Sequence, residues 1–508
     1  MAETRKFRNP VIPGFAPDPS VIFVDGVFYL ATSSFHVFPG IPIYASTDLQ
    51  EWKHIGNAIN RKEQLSLHDA ETSVMPLDTG SIMVATAGLF APTIRHHKGT
   101  FHIICTNATR KDDTFSLDNF YISTTDIWSG TWSDPIHFDF SGIDPSLFFD
   151  DDGRVYVQGC WMIDRLQQPS CTIKQFEIDI QTGRPLSETR EIWGGFAKYD
   201  TEGPHIYKHS GYYYLLVAEG GTFEHHLLSI GRSRSIWGPY ESCESNPIMT
   251  ADGKPEEYIQ NIGHGELFQD RNGRESFLTS VDWPEGGWPT VKQPRMEIER
   301  RLPGPVGDYG RAISAPADVD WVYIRDPDFD KYVFDGEGDN RTFKLCASQS
   351  SISSNTETAT FVGKRQRSLN ASASVTLDIS GAGSKSVSAG LALYKDALRH
   401  VSLAYDFESF QLIFDVTTTS EDKEQRFTIP FESGVATLRL RVETSPREYT
   451  FFYRGDENGL WEVAGKVQVA NVVAREMTGP IFGLFAQARD VIDVGKEVLF
   501  ERFLVEDS

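Results

Sequence analysis

Three acidic residues occupy matching places in a repeated sequence pattern, and their side chains are suited to proton transfer. Asp18 begins the run DPSVIFVDGVFYL, Asp144 begins DPSLFFDDDGRVYV, and Glu202 begins EGPHIYKHSGYYYLL. Each acid precedes a β-like run, a polar turn with glycine and a second β-like run, with acid-to-glycine offsets of 8, 9 and 9 residues. A carboxylate and a protonated carboxyl group beside one substrate supply a general base and a general acid. The three acids are therefore candidate catalytic residues, although a single acid before a strand also commonly caps a turn.

Two further copies of the pattern extend it to five. Ala91 and His264 stand 8 and 9 residues before Gly99 and Gly273, and the five turn glycines are 73, 54, 58 and 62 residues apart. Such intervals hold about four short strands each, which is the content of a propeller blade. Because repeated hairpins bury their apolar faces by stacking around an axis, the pattern predicts a five-bladed β-propeller. The five matching residues are then expected to converge at one mouth of its central channel.

Composition limits the classes of partner. The 508-residue chain has a formal net charge of −23, which disfavours nucleic acid and anionic lipid surfaces. No stretch approaches the roughly 20 apolar residues of a membrane helix, and the beginning MAETRKFRNPVIPGF lacks the apolar core of a secretion signal. We therefore expect a cytoplasmic protein without nucleic-acid or membrane partners, of unknown oligomeric state. The scattered cysteines are expected to be reduced thiols and not a zinc site: Cys105, Cys160, Cys171, Cys243 and Cys346.

A change in residue composition and hydrophobic pattern along the chain predicts two domains. Residues 1–305 are dense in Trp, Tyr, Gly and Pro and are assigned to the propeller, with a shortened fifth blade. Residues 306–320 form a Pro/Gly-rich linker. Residues 321–508 contain alternating runs such as SASVTLDIS, HVSLAYDF and ATLRLRVET, which are typical of an antiparallel β-sandwich. Helical periodicity is almost absent, so the predicted class is all-β.

Several of these segments carry a family resemblance. NPVIPGFAPDPS, SGIDPSLFFDDDG, TEGPHIYK and GYYYLLVAEGGT resemble the propeller of glycoside hydrolase family 43, in the order that the family uses. The segments FVGKRQ and AGLALYKD are similar to the concanavalin-like sandwich of its β-xylosidase and α-L-arabinofuranosidase members. The resemblance implies an inverting exo-glycosidase that releases terminal β-D-xylosyl or α-L-arabinofuranosyl residues from small xylo- or arabino-oligosaccharides. The alternatives are a catalytically impaired, sugar-binding relative and a retaining fructosidase, which the PDPS motif disfavours.

The resemblance also assigns roles to the three acids. It makes Asp18 the general base, Glu202 the general acid, and Asp144 the residue that orients Glu202 and raises its pKa. An inverting enzyme needs a base to activate water on one face of the sugar and an acid to protonate the leaving oxygen on the other. Asp18 and Glu202 are accordingly expected to lie about 6.5 to 9.5 Å apart, leaving room for the water.

Substrate contacts are predicted for six further residues. Aromatic rings near the strand starts are expected to stack on sugar C–H faces, although each is individually more typical of a β-protein core: Phe35, Phe38, Phe90 and Trp161. The resemblance makes His264 the residue that faces a water-filled or calcium-occupied channel, and Arg274 of GRES a substrate contact. No cofactor is expected to be required and no protein metal-ligand set is predicted, with a structural calcium ion in the channel as an alternative.

Overall fold

The chain is built almost entirely from antiparallel strands, which confirms the all-β class. The computed structural model describes residues 3–76, 82–111, 114–164, 167–223, 225–268, 279–302, 313–381, 386–420, 423–431, 434–455, 459–473 and 477–507. Helical turns in these ranges are short: Val469–Val472, Phe329–Lys331, Gly338–Asn340 and Val491–Asp493. Across the same ranges, no helix has both the length and the apolar character needed to cross a membrane.

Four antiparallel sheets follow one another along the first half of the chain, and we call them blades I to IV. Blade I contains Ser20–Val24, Val27–Ala31, Gly40–Ser46 and Lys53–Ile59. Blade II contains Gly88–His97, Thr100–Lys111, Thr114–Thr124 and Ile136–Phe138. Blade III contains Gly142–Phe149, Val155–Met162, Cys171–Glu177 and Arg190–Trp193. Blade IV contains Glu202–His209, Tyr212–Glu219, Leu227–Ser233 and Glu241–Ser242, with Met249–Thr250 beside its third strand.

The first strands of the four blades pack side by side, which makes the arrangement propeller-like. The strand Ser20–Val24 contacts Gly88–His97, which contacts Gly142–Phe149, which in turn contacts Glu202–His209. Beyond blade IV, the described chain forms the pair Val281–Asp282 with Thr290–Val291. Glu297–Leu302 then pairs with the N-terminal strand Glu3–Arg8. Part of the fifth repeat, residues 269–278, lies outside the described residues, and so do residues 306–312 of the predicted linker.

Two larger sheets form the C-terminal sandwich. One has the strand order Gln425–Pro430, Gln411–Thr417, Arg399–Asp406, Val387–Asp396, Ile481–Ala488, Thr360–Arg365, Trp321–Ile324 and Val37–Phe38. The other has the order Tyr332–Asp335, Thr342–Cys346, Glu497–Asp507, Ala371–Asp378, Thr437–Thr444, Glu448–Arg454 and Glu462–Gln468. A hairpin of Thr72–Pro76 and Ile82–Thr86 lies between blades I and II in the sequence.

The sandwich shares a strand with the propeller region. The short segment Val37–Phe38 leaves blade I and pairs with Trp321–Ile324 at the edge of the larger sandwich sheet. The ring of Phe38 is 2 % exposed and its centroid lies 6.0 Å from that of Phe329. Phe38 is therefore a core residue of this junction and not a sugar-stacking ring, because the strand exchange turns it away from the strand starts.

The sandwich also supports residues near the strand starts. Phe35 lies in an apolar cluster with Phe15 and with Ile352 of the sandwich, and Phe90 and Met477 pack against the same cluster. The ring centroids of Phe35 and Phe90 are 5.3 Å apart in an edge-to-face arrangement. The sandwich consequently behaves as a structural part of the molecule and not as an independently tethered module.

Candidate active site

The five repeats bring five residues into one unusual backbone conformation. A positive φ occurs at Asp18 (53°), Ala91 (37°), Asp144 (52°), Gly203 (56°) and His264 (47°). We call these five residues the mouth layer. The repeat in the sequence is thus a repeat of backbone geometry, and it places one residue from each copy at the start of an inner segment.

Glu202 precedes this layer by one residue, so the prediction that it shares the register of the other acids is wrong. Three of the hairpin turns have two central residues, and both have positive φ, as type I′ turns require: Asp25 and Gly26, Lys98 and Gly99, Ser210 and Gly211. Blade III has a longer turn, because Phe149 pairs with Val155 across it. The offset of 9 reflects the longer turn for Asp144, whereas for Glu202 it reflects an earlier position in the chain.

Gly203 explains why Glu202 stands where it does. A Cβ at position 203 would lie 3.1 Å from the ring of His264, so only glycine combines positive φ with this close approach. The Gly203 N–H, which belongs to the peptide that follows Glu202, donates to Asp144 Oδ2 at 3.1 Å. Asp144 is thereby tied to the backbone that carries Glu202.

Asp18 is held by a serine that sequence reasoning missed. The Ser33 hydroxyl donates to Asp18 Oδ2 at 2.6 Å and accepts from the Ala91 N–H at 2.7 Å. Ser33 is 1 % exposed, so water does not compete for these two bonds. Ser33 therefore fixes one carboxylate oxygen of Asp18 against blade II.

His264 lies between the two aspartates. Its Nδ1 is 3.8 Å from Asp18 Oδ1 and 3.9 Å from Asp144 Oδ2. The Asp18 side chain is 27 % exposed, compared with 7 % for Asp144 and 13 % for His264. The three side chains consequently share one polar centre, in which Asp18 is the most accessible to water.

The acids in this centre have different proton affinities. Burial, followed by repulsion from Asp18, raises the pKa of Asp144 to about 6, against the opposing effects of His264 and the Gly203 N–H. Burial, followed by the charges of Asp144, Cys171, Asp200 and Asp18, raises the pKa of Glu202 well above its ordinary value. A raised pKa favours the protonated form of Glu202, which is the state required of a general acid.

A second buried glutamate organises the loop that leads to Glu202. Glu219 is fully buried, and its carboxylate accepts from the N–H groups of Phe196 at 3.0 Å and Lys198 at 2.9 Å. It also accepts from the hydroxyls of Thr201 at 3.2 Å and Ser229. Four donors on one carboxylate fix the residues that immediately precede Glu202. The buried acid in the run AEGG was an available signal for this role.

The remaining residues that were predicted to contact the substrate differ in burial. Phe35 is 4 % exposed and belongs to the core, whereas Phe90 is only partly buried beside it. Trp161 is also partly buried; its ring lies 4.0 Å from Lys174 Nζ, and its strand pairs with the residues just before Asp144. Phe90 and Trp161 thus keep ring surface near the mouth layer. Arg274 lies outside the described residues.

Comparisons with known proteins identify related domains in both parts of the chain. Residues 7–290 match the family model described as glycosyl hydrolases family 43, and residues 314–506 match the β-xylosidase C-terminal concanavalin A-like domain. A non-reducing end α-L-arabinofuranosidase of Bacteroides ovatus is 30% identical over an alignment covering 95% of this chain and 91% of that protein. Xylosidase/arabinosidase 43B of Humicola insolens is 36% identical over 63% of this chain and 55% of its own length.

A solved structure is similar over the whole chain. The crystal structure of xylan β-1,4-xylosidase from Bacillus halodurans matches with a TM-score of 0.85 and 27% identity, covering 99% of this chain and 100% of that one. The similarity thus extends over both domains as well as over the repeats that carry the acids. On these grounds the chain belongs to glycosyl hydrolase family 43 and is a glycoside hydrolase.

Proposed function

We propose that this enzyme is an inverting exo-glycosidase that releases terminal β-D-xylosyl or α-L-arabinofuranosyl residues from short xylo- or arabino-oligosaccharides. The observation that carries the proposal is the arrangement of Asp18, Asp144 and the peptide that follows Glu202 around His264. Partial burial and the charge of Asp144 raise the pKa of Glu202, which favours the protonated form that a general acid needs. Asp18, bonded by Ser33 and partly open to water, is placed to accept a proton. The names of the relatives, which include both sugars, support the substrate class.

In the proposed reaction, Asp18 takes a proton from a water molecule while that water attacks the anomeric carbon. Glu202 gives its proton to the glycosidic oxygen as the bond from this oxygen to the anomeric carbon breaks. Asp144 holds the backbone of Glu202 through the Gly203 N–H, and its charge keeps the Glu202 proton in place. A separation of about 6.5 to 9.5 Å between the Asp18 and Glu202 carboxyl groups remains the prediction for this mechanism.

The five-bladed architecture belongs to the same proposal. His264 has the positive φ of the other four mouth positions, which supports a fifth blade beginning near residue 264. The pairing of Glu3–Arg8 with Glu297–Leu302 supports closure of the ring by the N-terminal strand. The domain limits of 1–305, 306–320 and 321–508 and the cytoplasmic location remain predictions.

The test combines turnover with stereochemistry. Purified protein is assayed on p-nitrophenyl β-D-xyloside, p-nitrophenyl α-L-arabinofuranoside and xylobiose, and proton NMR follows the first anomer released. The proposal expects the inverted anomer, and loss of turnover in Asp18→Asn. Glu202→Gln should lose far more activity on xylobiose than on the aryl glycosides, because p-nitrophenolate leaves with little help from an acid. A retained anomer, or a folded wild type that binds xylose without turnover, would overturn it, and the latter outcome favours the sugar-binding alternative.

A further inference from the structure

Below the mouth layer, the channel contains a fully engaged arginine. Arg95 Nε donates to the Leu147 carbonyl at 3.2 Å, and Nη1 donates to the Ile94 carbonyl at 2.8 Å and to Glu266 Oε2 at 2.9 Å. Nη2 donates to Glu266 Oε1 at 3.2 Å and to His205 Nδ1 at 3.0 Å. The acceptors belong to three different repeats besides its own. The guanidinium group is therefore coordinated as a central ion would be.

Glu266 is the counter-charge of this arginine, and each of its carboxylate oxygens already accepts two hydrogen bonds. Besides Arg95, its carboxylate accepts from the Ser20 hydroxyl at 2.8 Å and from the Tyr207 hydroxyl at 2.7 Å. The Glu266 side chain is 2 % exposed, and the attraction of Arg95 lowers its pKa in spite of burial. Ser20 joins from the first repeat, so the Arg95–Glu266 pair connects all five repeats.

His205 adds a neutral acceptor to the same group. Burial, followed by the charge of Arg95, lowers the pKa of His205 to about 3 against the attraction of Glu266. Because arginine only donates, the Nδ1 of this neutral imidazole is the acceptor. We call Ser20, Arg95, Leu147, His205 and Glu266 the inner layer.

We propose that Arg95 is the built-in cation of the channel, so that the protein is folded and closed without the calcium ion that its resemblance to family 43 suggested as an alternative. Calcium takes six to eight oxygen ligands at about 2.3 to 2.6 Å. The one carboxylate in the inner layer already accepts four hydrogen bonds, and the guanidinium of Arg95 occupies acceptors from four repeats. The described residues contain no cluster of three or more His, Cys, Asp and Glu side chains able to hold a metal.

Thermal unfolding of the full-length protein tests the metal side of the proposal. Arg95 also lines an open cavity of about 380 Å³ together with His96, Phe149 and Lys208, so chelators and ions have access to this layer. The unfolding midpoint is expected to be the same in EDTA and in millimolar CaCl2, and dialysed protein should contain far less than one calcium per chain. A midpoint that falls in EDTA, or stoichiometric bound calcium, would overturn the proposal.

A double-mutant cycle tests the charge side. Arg95→Met and Glu266→Gln should each lower the midpoint by several degrees, because each leaves one buried partner unpaired. The double variant should be more stable than the sum of the single changes predicts. Arg184→Met, at an exposed arginine of blade III, is the matched control and should leave the midpoint unchanged. Additive effects, or an Arg95→Met variant as stable as the control, contradict the proposal. If Arg95→Met does not fold, Arg95→Lys replaces it in the cycle and should also show coupling to Glu266.

Discussion

The mouth layer and the inner layer lie on the same chain segments but differ in electrostatics: the first gathers acids, and the second pairs an acid with an arginine. In the mouth layer, burial and like charges raise the pKa values of Asp144 and of the neighbouring Glu202. In the inner layer, two or more residues farther along the same segments, Arg95 and Glu266 neutralise each other and the pKa of Glu266 is lowered. The mouth layer thus keeps acids reactive at a cost in stability, whereas the inner layer holds the repeats together.

One fold can in this way separate the residues of catalysis from those of stability. A buried acid without a cation is destabilising at neutral pH, because the folded state favours its protonated form. Such strain is tolerated only where the surrounding structure is held by other interactions. The inner layer, only a few residues away, supplies hydrogen bonds from every repeat.

The largest contrast is expected between Glu202→Gln and Glu266→Gln. Removal of the proton donor should lower kcat/KM on xylobiose by about 10²- to 10⁴-fold, the range of general acid catalysis, with no loss of unfolding midpoint. Glu266→Gln should lower the midpoint and leave folded protein active at low temperature. Steady-state kinetics and calorimetry on both variants measure this contrast. If Glu266→Gln loses as much activity as Glu202→Gln while folded, the two layers are not functionally separate.

Asp144→Asn should stabilise the protein in a pH-dependent manner. The pKa of Asp144 is raised to about 6, so ionisation of this carboxyl group destabilises the fold as pH rises from near 4 to 7. A shift of roughly two pKa units corresponds to about 3 kcal/mol in the free energy of unfolding at pH 7 and to none below pH 4. Chemical denaturation at several pH values measures the gain. Equal stability of variant and wild type at pH 7 would contradict the mouth-layer interpretation.

The same substitution should also move the pH profile of the enzyme. Asp144 is, after burial, the largest cause of the raised pKa of Glu202. Its removal should shift the basic limb of kcat/KM toward lower pH, because Glu202 then loses its proton more easily. A pH–rate profile on an aryl xyloside measures the position of this basic limb. An unmoved basic limb would assign that limb to another group.

The smallest expected effect is that of Ser33→Ala. Loss of the hydroxyl frees Asp18 from its 2.6 Å bond, so kcat should fall by about tenfold with little change in KM, the pattern of a lost orienting contact. Ser46→Ala is a suitable control, because Ser46 is equally buried in blade I and bonds only to its own turn. Equal kcat values for the two variants would show that Ser33 does not position Asp18.

Local turn chemistry explains how much of this molecule could be predicted. Asp25–Gly26 and Ser210–Gly211 are adjacent residues whose positive φ values select a hairpin, so the strand pairs could be located from short segments. The repeat then identified Asp18, Asp144 and Glu202 as candidates, and the family motifs assigned their roles. Counting residues from each acid to its turn glycine gave Glu202 the same register as Asp144, although Glu202 precedes that register by one residue. Turn length differs between blades, and the offset alone does not reveal it.

The contacts between repeats depend on pairs that no local pattern contains. Ser20 meets Glu266 across 246 residues, and Arg95 meets it across 171. Val37–Phe38 reads as part of blade I but completes a sheet of the sandwich. Side-chain periodicity records which face of a strand is buried and not which distant strand covers it. The partners of Arg95 and the neighbours of Phe38 were consequently settled only by the packing of strands that are distant in the sequence.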